Sequence, residues 1–241
     1  MYERVTGIVL HITKYSDKNS IVHIYTDKYG KLSFLISESG GKVAKMRRAI
    51  LMPLSLVEVQ ARMSAGKEIY TMSDVRLLYN CTSIHSDPIK NAIAMFMAEL
   101  ISRSATVREE NSPLFRYLFQ SIELLNHLQQ GVANYHICFI YNLGAFLGIQ
   151  PYIESYTEGA WFDMINGRFS RNKPTHNNIL EPEMAQVIIP LSRMTFSNLH
   201  KFNFNRSERN QILDIIIRYY QVHNSTIGTL RSPEILKQLF N

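Results

Sequence analysis

Apolar residues recur at every second position through the first third of the chain and at helical spacing through the rest. Ile8, Leu10 and Ile12 alternate with Val9, His11 and Thr13, which predicts a half-buried strand. Ser20 to Thr26 predicts a second strand after the polar turn Ser16-Asp-Lys-Asn19. Asp27-Lys-Tyr-Gly30 turns the chain into a third, Lys31 to Ile36, where Leu32, Phe34 and Ile36 share a face. Pro53 to Gln60 predicts a fourth, and its apolar phase slips between Leu56 and Val57, the mark of a bulge. Ala65-Gly66 leads into the fifth, Lys67 to about Leu78. Five short strands with one longer irregular connection after the third match a small Greek-key barrel of the OB type.

From Asp87 the period changes to that of helices. Asp87-Pro88, Ser112-Pro113 and Ser232-Pro233 each place an N-capping oxygen before a proline at the first helical position, where the missing N–H costs nothing. Ile89, Ile93, Phe96, Met97, Leu100 and Ile101 form one stripe, and Leu114, Leu118, Ile122, Leu125 and Leu128 a second. Residues 135–147 are apolar nearly all round, which predicts a central buried helix ended by Gly148. Ile212, Ile215, Ile216, Tyr219 and Tyr220 stripe another long helix, and residues 233–240 predict a short last one. The fold class is therefore α+β, with a five-stranded barrel over residues 1–80 and an all-α domain over 81–241, joined near Leu78–Asp87. Within the second domain, Trp161-Phe-Asp-Met-Ile-Asn-Gly-Arg-Phe169 predicts a small hairpin insertion near 152–175, turned at Asn166-Gly167.

Charge changes the picture more than composition does. Residues 1–80 carry 12 Lys/Arg against 7 Asp/Glu, whereas the remainder carries 14 against 13. A basic first domain on a nearly neutral second one points to a polyanionic partner. The cations concentrate in Glu38-Ser-Gly-Gly-Lys-Val-Ala-Lys-Met-Arg-Arg48, where Lys42, Lys45, Arg47 and Arg48 follow a Gly40-Gly41 pair free to turn with φ > 0. Phosphate is the partner this patch fits, because each base that neutralises a phosphate releases counterions. Lys14 and Tyr15 are candidate neighbours, Tyr15 by stacking on a base.

Other classes drop away. No apolar run approaches the roughly 20 residues of a membrane span. The opening Met-Tyr-Glu-Arg-Val enters a strand pattern with no apolar leader, and two cysteines, Cys81 and Cys138, support neither a disulfide framework nor a zinc site. A reducing cytoplasm is the expected setting. No phosphate-binding loop, dinucleotide fingerprint, zinc-protease or serine-hydrolase motif is present, and the eight histidines show no metal-ligand spacing. Glu109-Glu110 would diverge as helix neighbours, His136 reads as a core residue and Cys138 as a small hydrophobe. The expectation is a protein without an active site or cofactor.

A basic five-stranded barrel followed by helices resembles the RecO family of bacterial recombination mediators. The resemblance is carried by Gly7-Ile-Val-Leu-His-Ile-Thr-Lys-Tyr-Ser-Asp-Lys-Asn-Ser20, Tyr25-Thr-Asp-Lys-Tyr-Gly30 and Gly41-Lys-Val-Ala-Lys-Met-Arg-Arg48. It continues in Leu143-Gly-Ala-Phe-Leu-Gly-Ile-Gln-Pro151 and Leu230-Arg-Ser-Pro-Glu-Ile-Leu236, so it spans nearly the whole chain. It implies a non-enzymatic protein that binds single- and double-stranded DNA and anneals complementary strands. It further implies that, with RecR, the protein helps load RecA onto strands coated by the single-strand-binding protein, whose acidic C-terminal tail it contacts.

On that likeness Lys42, Lys45, Arg47 and Arg48 would be the phosphate contacts, with Lys14 and Tyr15 beside them. Arg103, Arg116, Lys201, Arg206 and Arg209 are possible rim cations for the acidic tail. Many RecO-like chains carry a four-cysteine zinc site after the buried helix, yet residues 152–180 here hold no cysteine. Packing by Trp161, Phe162 and Phe169 is expected to take the metal's place, and Arg168, Arg171 and Lys173 read as a solvated loop in preference to an extension of the DNA surface. An RNA-binding barrel and a protein-only scaffold remain the rival readings, since a basic groove with aromatics does not choose its sugar.

Overall fold

The computed structural model describes residues 2–38, 41–64, 66–105 and 110–239, without the side chain of Val43. Gly40, Ala65 and Glu109, named above, lie outside the described residues. The chain forms two compact units, Met1–His127 and Leu128–Asn241.

In the first unit, β1 (Tyr2–Lys14), β2 (Asn19–Thr26), β3 (Gly30–Ser37), β4 (Leu56–Arg62) and β5 (Ile69–Tyr79) close into a barrel in the order β1-β2-β3-β5-β4. β1 serves two partners: Tyr2–Ile8 pair antiparallel with β4, and Gly7–Lys14 with β2. The barrel closes on a short parallel pairing of β3 with β5, from Ser33 opposite Ile69 to Leu35 opposite Thr71. Its interior is filled by Val5, Val9, Val22, Ile24, Leu32, Phe34, Ile36, Val57 and Val59, with Leu51 sealing it. The slip at Leu56/Val57 is a bulge whose extra residue, Leu78, belongs to β5.

The connection after β3 is a helix, α1 (Lys42–Ile50), where the sequence was read as an irregular basic link. Lys-Val-Ala-Lys-Met-Arg-Arg-Ala-Ile is made largely of good helix formers, and Ile50 and Leu51 give it an apolar end to anchor on the barrel. Three further helices, α2 (Thr82–Ser86), α3 (Pro88–Ser104) and α4 (Ser112–His127), belong to this same unit. Asp87 caps α3 as expected, accepting from the Ile89 and Lys90 amides. For α4 the capping oxygen is Asn111 Oδ1, which accepts from the Leu114 amide, one residue upstream of the expected Ser112.

In the second unit α5 (Tyr135–Phe146) is buried almost all round, and α8 (Arg206–His223) packs on it through Tyr220, whose hydroxyl donates to the Ile140 carbonyl at 2.5 Å. Asn205 and Glu208 close a capping box at the start of α8. Two short helices, α6 (Pro182–Ala185) and α7 (Ile188–Ser192), precede it and α9 (Ser232–Leu239) follows.

The hairpin is present as β6 (Trp161–Asp163) and β7 (Arg168–Ser170), joined by β8 (Ile179–Leu180) in the order β7-β6-β8. Phe162 and Phe169 are buried with ring centres 5.1 Å apart, and Phe162 also meets Tyr219. Trp161 is only half-buried, with the Lys173 ammonium 5.0 Å from its ring centre. The polar centre is Asp163, which the sequence reading passed over. Its Oδ1 accepts from the Ile165 and Asn166 amides at 2.9 and 3.0 Å, its Oδ2 accepts from Asn166 Nδ2 at 2.7 Å, and His176 Nε2 lies 3.2 Å away.

Two stability predictions follow from this packing. A Cβ at Gly7 would lie 2.3 Å from Cγ2 of the buried Ile24, a β-branched side chain with little freedom to move. Gly7→Ala should therefore cost about 1–3 kcal/mol in chemical denaturation. Burial alone would raise the Asp163 pKa, but hydrogen bonds from Asn166, His176 and Ile165 outweigh it and hold the carboxyl below its ordinary value. Its stabilisation is thus complete above the unfolded carboxyl pKa of about 3.9 and fades as pH falls through the lower folded value. Asp163→Ala should destabilise by about 1–3 kcal/mol at neutral pH, with the gap to wild type narrowing in acid.

Candidate nucleic-acid interface

Folding α1 sorts the four cations that were read as one patch. Lys42, Lys45 and Arg48 follow one another at three-residue spacing and are all exposed, so they form a single stripe along the helix. Arg47 falls on the other side with Ala44 and Ile50 and is half-buried.

The β1–β2 turn is brought to the same place. Tyr15 and Ser16 donate their amides to the Asn19 carbonyl, which closes the turn. Lys14, Tyr15 and Lys18 are exposed on it, Tyr15 at 64%. Lys14 pairs with Asp17 at 3.2 Å, a fully solvated contact that contributes little.

Glu38 ties the turn to the helix. Its amide donates to the Lys18 carbonyl at 2.7 Å, and its carboxylate, 14% exposed, accepts from Arg48. Lys14, Tyr15 and Lys18 therefore share one end of the barrel with the α1 stripe. That end carries five exposed cations, Lys14, Lys18, Lys42, Lys45 and Arg48, on the β1–β2 turn and α1.

The outer face of β1–β2–β3 is less open than in a bare barrel. OB barrels commonly bind oligonucleotides on the face of strands 2 and 3. Here Ile8, Leu10 and Tyr25, which lie outside the barrel's interior cluster, are buried, and Tyr25 stacks on Phe115 of α4 with ring centres 6.3 Å apart. Lys31 of β3 donates to the Ser102 carbonyl in the last turn of α3 at 2.6 Å. The chain's own helices thus cover much of that face.

At the edge of the covered zone His11 and His23 lie opposite each other on β1 and β2, their rings stacked 4.3 Å apart at 25°. Ser33 Oγ holds His23 Nδ1 at 3.0 Å. Burial, then Lys31 and Arg103, lowers the His11 pKa against an opposing pull from Glu99. Burial, His11 and Lys31 push His23 down to about 4. Both rings are accordingly uncharged at neutral pH. The alternation of His11 and Thr13 was the available signal, since it sets both outward on β1 just before Tyr15.

The aromatic residues Tyr15, Tyr25, Tyr29 and Phe34 divide clearly. Phe34 fills the barrel, Tyr25 is covered by α4, and Tyr29 donates its hydroxyl to Glu3 Oε2 at 2.5 Å. Only Tyr15 of the four projects at the basic end. The five rim cations are divided between the two units. Arg103 and Arg116 belong to the first unit and Lys201, Arg206 and Arg209 to the second. Arg206 donates twice to the Lys237 carbonyl, and Arg209 donates to Phe204 O at 2.5 Å. Among the described residues no group of three His, Cys, Asp or Glu could hold a metal ion, and no helix is long and apolar enough to cross a membrane.

Comparison with known proteins decides the family. Residues 1–81 match the family described as Recombination protein O N terminal, and residues 85–226 the one described as Recombination protein O C terminal. The chain belongs to the RecO family. Curated relatives named DNA repair protein RecO are 36% identical in Bacteroides fragilis and in Phocaeicola vulgatus, each alignment covering 100% of both chains. The same named protein of Porphyromonas gingivalis is 32% identical over 98% of each chain. As a RecO-family member the protein has its role in DNA repair and recombination, and its OB-like barrel followed by helices is in keeping with that membership.

Proposed function

We propose that this RecO-family chain is a non-enzymatic recombination mediator that grips DNA phosphates at the barrel end where the β1–β2 turn meets α1. The supporting observation is the Glu38 junction, which sets Lys14, Lys18 and the Lys42/Lys45/Arg48 stripe side by side. Cations fixed on a strand turn and a helix meet a phosphate chain without ordering a loop first, and they carry no base preference. Such a grip suits both single- and double-stranded DNA and would hold two complementary strands close enough to anneal. In this reading the protein acts with RecR to load RecA onto strands coated by the single-strand-binding protein.

The acidic tail of that coating protein is the second proposed partner. Arg103, Arg116, Lys201, Arg206 and Arg209 are the proposed rim cations, of which Arg206 and Arg209 also donate to backbone carbonyls. The setting is the cytoplasm, at the nucleoid.

The test is the binding of a fluorescent single-stranded oligonucleotide across a salt series. Each phosphate contact on a single strand contributes a slope of about −0.7 in log affinity against log salt. Lys42/Lys45/Arg48→Ala should weaken binding and flatten the line by about 2. Arg47→Ala, on the half-buried side, should change it far less. Lines for the triple variant and wild type that coincide would move the DNA surface away from α1.

A further inference from the structure

We infer that His11 is a base-stacking site for single-stranded nucleic acid, its ring extending the His11–His23 pair toward a bound strand. The inference rests on the DNA-binding reading above and adds a contact of a different kind. The α1 stripe and the β1–β2 turn supply charge, which attracts any phosphate chain. A ring that accepts a base acts only on strands whose bases are unpaired.

The geometry favours His11 over Tyr25, Tyr29 and Phe34. Tyr25 and Phe34 are buried and Tyr29 is bonded to Glu3, whereas His11 is exposed on β1 beside the half-buried His23. The pair is pre-ordered: the rings are nearly parallel, and Ser33 fixes the inner one from β3. A base that stacks on an already positioned ring loses less entropy than one that must immobilise a free side chain. The His11 ring is also uncharged at neutral pH, so it offers an aromatic face and no ion to hydrate.

The surroundings suit a strand running along β1. His11 and Thr13 fall on the same side of β1 by the period of a strand, and Tyr15 follows at the turn that ends it. Thr13 between His11 and Tyr15 is small and exposed, so two bases could be received without a clash from the residue that separates them. Arg103 at the end of α3 and Lys31 of β3 lie near the His11 ring and supply positive potential for the backbone between stacked bases. Lys14 and Tyr15 continue the path to the Glu38 junction.

Stacking and phosphate contact have separable signatures, which makes the inference testable apart from the reading beneath it. Base–aromatic stacking is lost by alanine substitution at about 1–3 kcal/mol per base, or roughly fivefold to a hundredfold and above in affinity. His11→Ala should therefore weaken single-strand binding by at least about fivefold. Its salt slope should stay parallel to wild type, because no phosphate contact is removed. Duplex affinity should be unchanged, and His11→Phe should retain most of the single-strand affinity. Thermal unfolding matched to wild type would certify the fold of both variants.

Equal losses on single and double strands, a flattened slope, or no loss at all would overturn the inference while leaving the α1 grip intact. Wild-type protein with no salt-dependent affinity for DNA would remove the reading and the inference together.

Discussion

The double duty of β1 is the constraint on which the rest of the first unit depends. One continuous strand pairs with β4 along its first half and with β2 along its second, and the two ladders overlap at Gly7 and Ile8. The overlap leaves no room for a side chain at Gly7, and β1 slips in register between Val9 and His11 as it passes from one partner to the other. The backbone groups of Val9 meanwhile bond to Leu54 and Ser55, which extends the β4 side beyond its strand. That slip decides which residues face outward afterwards. It sets His11 across from His23 and sends Lys14 and Tyr15 to the tip of the turn.

Two faces of the barrel therefore meet different fates. The outer surface of β1–β2–β3 is apolar at Ile8, Leu10 and Tyr25, and burying that area under α3 and α4 stabilises the unit at about 25 cal/mol per Å². Having been used for packing, that surface is closed to ligands over most of its extent. The end of the barrel bearing α1 cannot be used in the same way, because Lys42, Lys45, Arg48, Lys14 and Lys18 would each lose hydration with few acidic partners to replace it. Glu38 pairs with Arg48 and Asp17 with Lys14, yet all five still face water. The division between stability and binding thus follows directly from where apolar and cationic residues fall.

Much of this was legible in the residues. Alternation at Leu32–Ile36 marked a strand because one face of it fills the barrel, whereas at Ile8–Leu10 both faces are buried and Ile12 is exposed; the break in phase at Leu56/Val57 coincides with a bulge whose extra residue, Leu78, lies on β5. The basic segment was visible as charge but not as a helix. A cluster of cations hides the weak 3.6-residue pattern of Ala44, Arg47 and Ile50, so the separation of Arg47 from the stripe emerged only with the fold. The His11–His23 stack was out of reach for another reason: it depends on the register of β1 against β2, which the bulge shifts by a residue. Glu38 and Lys18 likewise look like ordinary surface residues until the turn and the helix are set beside each other.

The hairpin of the second unit shows how an ordering centre can be made without thiolates. A structural zinc site contributes on the order of 10 kcal/mol or more, depends on metal supply, and needs deprotonated cysteines. In this hairpin Asp163 accepts hydrogen bonds from its own turn, and Phe162 and Phe169 bury the strands on Tyr219. Each of those donors is worth about 1.5–3 kcal/mol to a charged acceptor at best, so the centre is weaker than a metal and relies on the aromatic packing around it. In exchange its integrity is set by a carboxyl that titrates in acid rather than by thiols open to oxidation. Trp161, which the sequence placed in that packing, instead lies half-open under Lys173, so the burden falls on Phe162, Phe169 and the carboxylate.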